Sequence, residues 1–144
     1  MITVTGGNAR QRKHVESMVE FAWRTLMPRK KNLNIEVKLK DLKGEAYGYC
    51  LAETYNDFEI EIHSKMRLRR MLETVAHEMV HVKQYARKEL MHDHEWLGKT
   101  YNPKKVSYWD LPWEIEAHGR EVGLFVRWAE ENNLGYKKWT QDAN

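Results

Sequence analysis

Apolar positions along this 144-residue chain recur with two different periods. Val15, Met18, Val19, Ala22 and Leu26 follow helical spacing, with Asn8 placed to cap the start and Pro28 to end it, so a helix is predicted over residues 9–27. Over residues 33–40 the period falls to two. Leu33, Ile35, Val37 and Leu39 alternate with Asn34, Glu36, Lys38 and Lys40, as in a half-buried strand. A Tyr-rich run over 45–53 predicts a second strand, Asn56-Asp57 a turn, and Phe58, Ile60 and Ile62 a third strand joined to the second as a hairpin. Residues 65–88 then read as one long helix and 89–112 as a long connection. A last helix is predicted over 113–132, with Pro112 in its first turn and Gly135 past its end. The expected class is α+β in a single domain over residues 1–144: an N-terminal helix, a small three-stranded, mainly antiparallel sheet, then two helices separated by a loop.

Composition narrows the function classes. With 42% hydrophobic and 31% charged residues the chain is expected to fold as a globular domain. No apolar run approaches the roughly 20 residues of a membrane helix, and no signal peptide is visible, so no membrane partner and a cytoplasmic location are expected. The single Cys50 reads as a structural residue in a reducing compartment. A net charge of +3 is too small to announce a nucleic-acid binder. The basic run at residues 65–70 (Lys65, Arg67, Arg69 and Arg70) reads first as solvated surface, with a weak nucleic-acid contact as the alternative.

The strongest chemical signal lies in the second long helix: His77-Glu78-Met79-Val80-His81. Histidines four apart project from one helical face and can reach one ion, while the intervening glutamate lies beside the open coordination position. Imidazole and carboxylate donors suit zinc, and three protein ligands leave room for water, with Glu78 as the expected general base. Leu72, Val75, Met79, Val82 and Ala86 form the core stripe, and His77 and His81 lie nearly opposite it.

Candidates for the third ligand are His92, Glu114, Glu116 and His118. Glu116 groups with Gly119, Arg120, Gly123 and Arg127 on the expected solvent face. Glu114 and His118 fall within the arc of Ile115, Ala117, Val122, Phe125, Val126 and Trp128, with Glu121 beside them. A carboxylate on an apolar face needs a partner or a metal, so Glu114 is preferred. His118 reads as support for a ligand or as a core histidine, and Glu121 as a supporting group or a surface ion pair.

The pairing of this HExxH with Glu114-Ile115-Glu116-Ala117 resembles the gluzincin class of zinc metallopeptidases. The stretches over residues 77–85 and 111–121 are similar to minimal gluzincins and small metallopeptidases of bacteriophage type. The resemblance implies a zincin-like domain, a zinc cofactor held by His77, His81 and Glu114, a protein or peptide substrate, and a polar support four residues after the glutamate. His118 stands there instead of the usual Asp or Asn. A weaker resemblance, to the SprT-like pattern, rests on His92-Asp93-His94-Glu95-Trp96. It would make His92 the ligand and the protein DNA-associated, and a catalytically inactive zinc-binding module is the remaining alternative. For a peptidase, the strand over 57–63 is the expected edge for substrate. Tyr85, Tyr101, Tyr108 and His118 are the candidate oxyanion donors, and Trp96, Trp109 and Trp113 the candidate cleft walls.

Overall fold

The alternations over residues 34–40 and 57–63 build the two central strands of a sheet in a computed structural model that describes residues 1–44 and 46–141. In β2 (Asn34–Lys40) and β4 (Asp57–His63), Ile35, Val37, Leu39, Phe58, Ile60 and Ile62 are buried on one face. The polar members form ion pairs on the other, Lys38 with Glu59 at 2.8 Å and Lys40 with Glu61 at 3.1 Å. A period of two divides a sheet in this way when helices cover only one side.

The sheet has four strands, not three, and is mixed rather than mainly antiparallel. β1 (Ile2–Gly6) and β3 (Gly48–Ala52) flank the central pair in the order β1-β2-β4-β3. The β1–β2 and β2–β4 pairs are parallel, and only β3–β4 is antiparallel. The connections explain the difference. α1 (Ala9–Leu26) crosses over between β1 and β2, so the chain re-enters the sheet in the same direction, while the tight turn after β3 gives the expected hairpin and sends β3 to the edge. β4, expected to offer a free edge, is paired on both sides. Glu45, in the predicted second strand, lies outside the described residues.

Local signals set the helix starts. Asn8 Oδ1 accepts the Gln11 N–H at 2.8 Å, and Gln11 Oε1 accepts the Asn8 N–H at 2.9 Å, a reciprocal cap. α2 (Leu68–Ala86) is the central element, packed against α1, the sheet and α3 (Pro112–Glu131). Every residue from Met71 to Gln84 is therefore buried, including His77 and His81, which still border a cleft. On α3 the buried stripe is Trp113, Ala117, Leu124, Phe125, Trp128 and Ala129. Ile115, Val122 and Val126, expected inside, are 57%, 47% and 40% exposed. The connection over 89–112 holds a small hairpin, β5 (Glu95–Trp96) with β6 (Lys99–Thr100), and a 3-10 turn at Tyr108–Asp110. A short α4 (Lys138–Gln141) follows α3. No helix among the described residues is long and apolar enough to cross a membrane.

The exit from β1 depends on Gly6, whose φ is +81° and whose added Cβ would stand 1.9 Å from the Leu39 carbonyl oxygen. Gly119 is helical, with nothing within 4 Å of an added Cβ. Urea unfolding should therefore show Gly6→Ala losing about 2 kcal/mol or more, through strain and a backbone clash. Gly119→Ala should gain about 0.5–1 kcal/mol through helix propensity. Equal effects at the two positions would contradict this placement.

Candidate metal centre

Helical spacing brings His77 and His81 to one side of α2, and α3 lays Glu114 across them. One carboxylate oxygen is the meeting point. Glu114 Oε1 stands 3.1 Å from His77 Nε2, 3.3 Å from His81 Nε2 and 3.1 Å from the Tyr108 hydroxyl. Two donors held about 2.0–2.1 Å from a tetrahedral zinc stand about 3.3 Å apart, so the two glutamate–histidine separations are compatible with a shared ion as well as with hydrogen bonds.

Each imidazole is also held from behind. Glu121 Oε1 accepts from His77 Nδ1 at 3.2 Å, and Gln84 Oε1 accepts from His81 Nδ1 at 2.8 Å. With Nδ1 occupied as a donor, Nε2 is the nitrogen left to face an ion. Gln84 is fixed in turn, donating to the Trp113 carbonyl at 2.9 Å and to Glu116 Oε1 at 3.0 Å. Glu116, expected to face solvent unpaired, also meets the buried Lys83 at 2.6 Å. Gln84 is not among the sequence candidates, although its place three residues after His81 puts the two on one helical face.

His118 closes a second ring of contacts. Its Nδ1 lies 2.7 Å from Glu121 Oε1, and its Nε2 lies 2.9 Å from the Tyr108 hydroxyl. One donor atom each from His77, Glu114 and His118 lies within 4.8 Å of the others, so this group could hold a metal ion. Glu121 is half-buried between His77 and His118 rather than in a surface ion pair. His92 stacks on Tyr55 at 4.4 Å, is exposed and does not line the cleft, although its ring lies 5.5 Å from that of Tyr85, whereas His94 lines the cleft near Trp113.

The open space beside these groups is a cleft of about 860 Å³ between α2, α3, β3 and the loop carrying Tyr108 and Trp109. Of the four candidate oxyanion donors, Tyr85, Tyr108 and His118 line it, and Tyr101 packs edge-on against Trp113 behind it. Trp109 and Trp113 form walls. Cys50, expected as an interior residue, is half-buried and also faces the cleft.

Charge in the cluster is strongly coupled. Burial lowers the His77 pKa, but the contacts with Glu114 and Glu121 and the charge of Glu78 outweigh it and hold the pKa at about 10. His81 is raised in the same manner, burial being overcome mainly by Glu114. Burial raises the Glu114 carboxyl, yet the two imidazoles pull it well below the ordinary range. At Glu78 burial dominates and the pKa goes up, partly offset by the histidines. Burial and the Glu114 charge raise the Tyr108 hydroxyl, keeping it a donor at neutral pH.

No protein-family model, curated protein or solved structure matches this chain.

A raised histidine pKa fixes a sign. The stabilisation from charged His77 is fully present below the unfolded value near 6.5 and is lost as pH climbs through about 10. Chelator-treated protein should therefore lose stability as pH rises over that window. Zinc binding at pH 7.5 should release about one to two protons per ion, because the ion displaces them from Nε2. Calorimetry in buffers of different ionisation enthalpy measures this, and zinc uptake without proton release would refute the assigned charge state.

Proposed function

We infer that the protein is a zinc-dependent peptidase of zincin-like type, with His77, His81 and Glu114 as ligands and Glu78 as the general base. The observation that carries the reading is that two imidazole Nε2 atoms from α2 each lie at 3.1–3.3 Å from one carboxylate oxygen of α3, distances that suit groups sharing an ion. The ion supplies Lewis-acid polarisation of a carbonyl and lowers the pKa of water towards about 7.

The remaining steps belong to the chain itself. Glu78 lines the cleft with its carboxyl pKa raised by burial, which suits a group that takes a proton from the attacking water and passes it to the leaving nitrogen. Tyr108 and His118 are the nearest donors for a developing oxyanion. The free edge of β3 offers the docking surface for an extended substrate. Tyr47 O accepts the His63 N–H at 2.9 Å, and the Glu53 N–H reaches Asp57 O at 3.0 Å. By that alternation Tyr49 and Leu51 also face β4, while the N–H and C=O groups of Gly48, Cys50 and Ala52 point outward. An extended peptide can add there as a fifth strand beside the cleft.

A second reading has one observation in its favour. His118 belongs to the same donor group as His77 and Glu114, and as a fourth ligand it would close the site and make the ion structural. The SprT-like alternative is not favoured, since His92 is stacked on Tyr55 outside the cleft. The basic run at residues 65–70 is drawn into internal pairs, Lys65 with Asp41 at 2.9 Å and Arg69 with Glu73 at 3.3 Å, which weakens the case for a nucleic-acid contact.

Four substitutions test the reading. Glu78→Gln should keep stoichiometric zinc and lower kcat on a peptide substrate by about 10²-fold or more; undiminished turnover would refute the general base. Glu114→Ala should weaken zinc affinity by more than about 100-fold, whereas Glu116→Ala, acting through Gln84, should cost about tenfold. His118→Ala should retain the ion and slow turnover. Loss of the ion in that variant would favour the closed structural site.

A further inference from the structure

The cleft has two chemically different ends, and β3 fixes how a peptide meets them. Arg70, Thr74, His77, Glu78, His81 and Tyr85 line it in order along α2. β3 runs alongside in the same sense. The Tyr47 ring lies 5.3 Å from the Arg70 guanidinium, Gly48 packs against Thr74, and Cys50 is near enough to Glu78 to feel its charge. At the far end Tyr85, Leu90 and Trp113 form an apolar wall.

Arg70 is the only Lys or Arg among the described residues that line the cleft. Its guanidinium stands 3.9 Å from Glu73 Oε1, beyond hydrogen-bond length, because Arg69 holds that carboxylate more closely at 3.3 Å. The Arg70 side chain keeps 38% of its surface exposed, so its donors are available to a ligand lying on the Tyr47 side. The opposite demand holds in the middle, where Glu78, Glu114 and Glu121 already supply three carboxyl groups.

Antiparallel pairing is the commoner choice for an added strand. A peptide antiparallel to β3 points its C-terminal side towards Tyr47 and Arg70 and its N-terminal side towards Tyr85 and Trp113. The midpoint of the histidine pair lies about 13 Å along the helix from Arg70, at 1.5 Å per residue. That distance is spanned by about three or four extended residues.

We propose that this cleft selects extended peptides that carry a carboxylate three or four residues after the scissile bond and a large apolar residue before it, with Arg70 binding the carboxylate. The assignment rests on the peptidase function proposed above. The carboxylate has two sources, an Asp or Glu side chain or the C-terminus of the peptide, and both meet the guanidinium in the same way. Arg70 thus sets specificity and register and takes no part in the bond-breaking step.

The test walks a single Glu along an apolar-rich, C-terminally amidated peptide in a Gln background. An all-Gln peptide with a free C-terminus serves as the second arm, and mass spectrometry maps the products. The cleaved bond should move with the Glu at constant spacing, with kcat/KM about tenfold above the amidated all-Gln peptide. Arg70→Gln should erase that preference, and Arg70→Glu should turn it towards Lys. In the second arm, cleavage at the same spacing from the end identifies the terminal carboxylate as a ligand. A bond that ignores the position of the Glu, or a preference unchanged in Arg70→Gln, overturns the proposal while the peptidase function stands. If no peptide is cleaved, that function fails instead, and fluorescence anisotropy of the same labelled peptides decides the proposal alone. Binding about tenfold tighter with Glu, and lost in Arg70→Gln, supports it; equal binding of the Glu and Gln peptides overturns it.

Discussion

Glu114 carries a negative charge between two packed helices, and the geometry around it follows from the need to meet that charge. An ionised carboxylate removed from water costs several kcal/mol unless donors or a cation surround it. Here His77, His81 and Tyr108 all address a single oxygen. Those contacts tie the first turn of α3 to one face of α2, because both imidazoles come from α2 and the carboxylate from α3. The charge that demands partners is also the charge that suits a divalent ion.

The partners are held in turn by residues that bring the cost of burial under control elsewhere. α2 is surrounded on three sides, so its polar residues must be satisfied internally. One network runs from His77 through Glu121 to His118 and Tyr108. The other runs from His81 through Gln84 to Glu116 and Lys83. Both imidazoles are thus held at Nδ1 by acceptors that are themselves fixed, which orients the rings before any ligand arrives. A site built on helices with this support is stiffer than one built on loops. The exception is Tyr108, which comes from the 3-10 turn in the long connection and covers the cluster from the solvent side.

The sheet contributes direction. Its outer face is held by the Lys38–Glu59 and Lys40–Glu61 pairs and its inner face by the core. The crossover through α1 puts β1 at one end of the sheet, which leaves β3 as the strand bordering the cleft. Because β3 and α2 run in the same sense, an added strand would meet Arg70 at one end and the Tyr85–Trp113 wall at the other.

Much of this was legible in the residues alone, for local reasons. A cap at Asn8, a proline at position 112 and the alternations in β2 and β4 act within a few neighbours, and the corresponding elements begin and end close to where those signals fall. The spacing of His77 and His81 is likewise a property of one helix, and the cost of leaving Glu114 on an apolar face pointed to a meeting of the two helices. Pairing partners are another matter. Nothing local in Ile2-Thr3-Val4-Thr5 announces a parallel strand, since its partner lies beyond an 18-residue helix. Exposure on α3 also escaped the pattern, because the surface of α2 and not the hydrophobicity of Ile115, Val122 or Val126 decides which side is covered. Gln84, Glu116 and Lys83 became one network only when α3 docked. Helical periods and caps are written in the chain, whereas strand order, the free edge and the partners of buried charges arise from how distant segments pack.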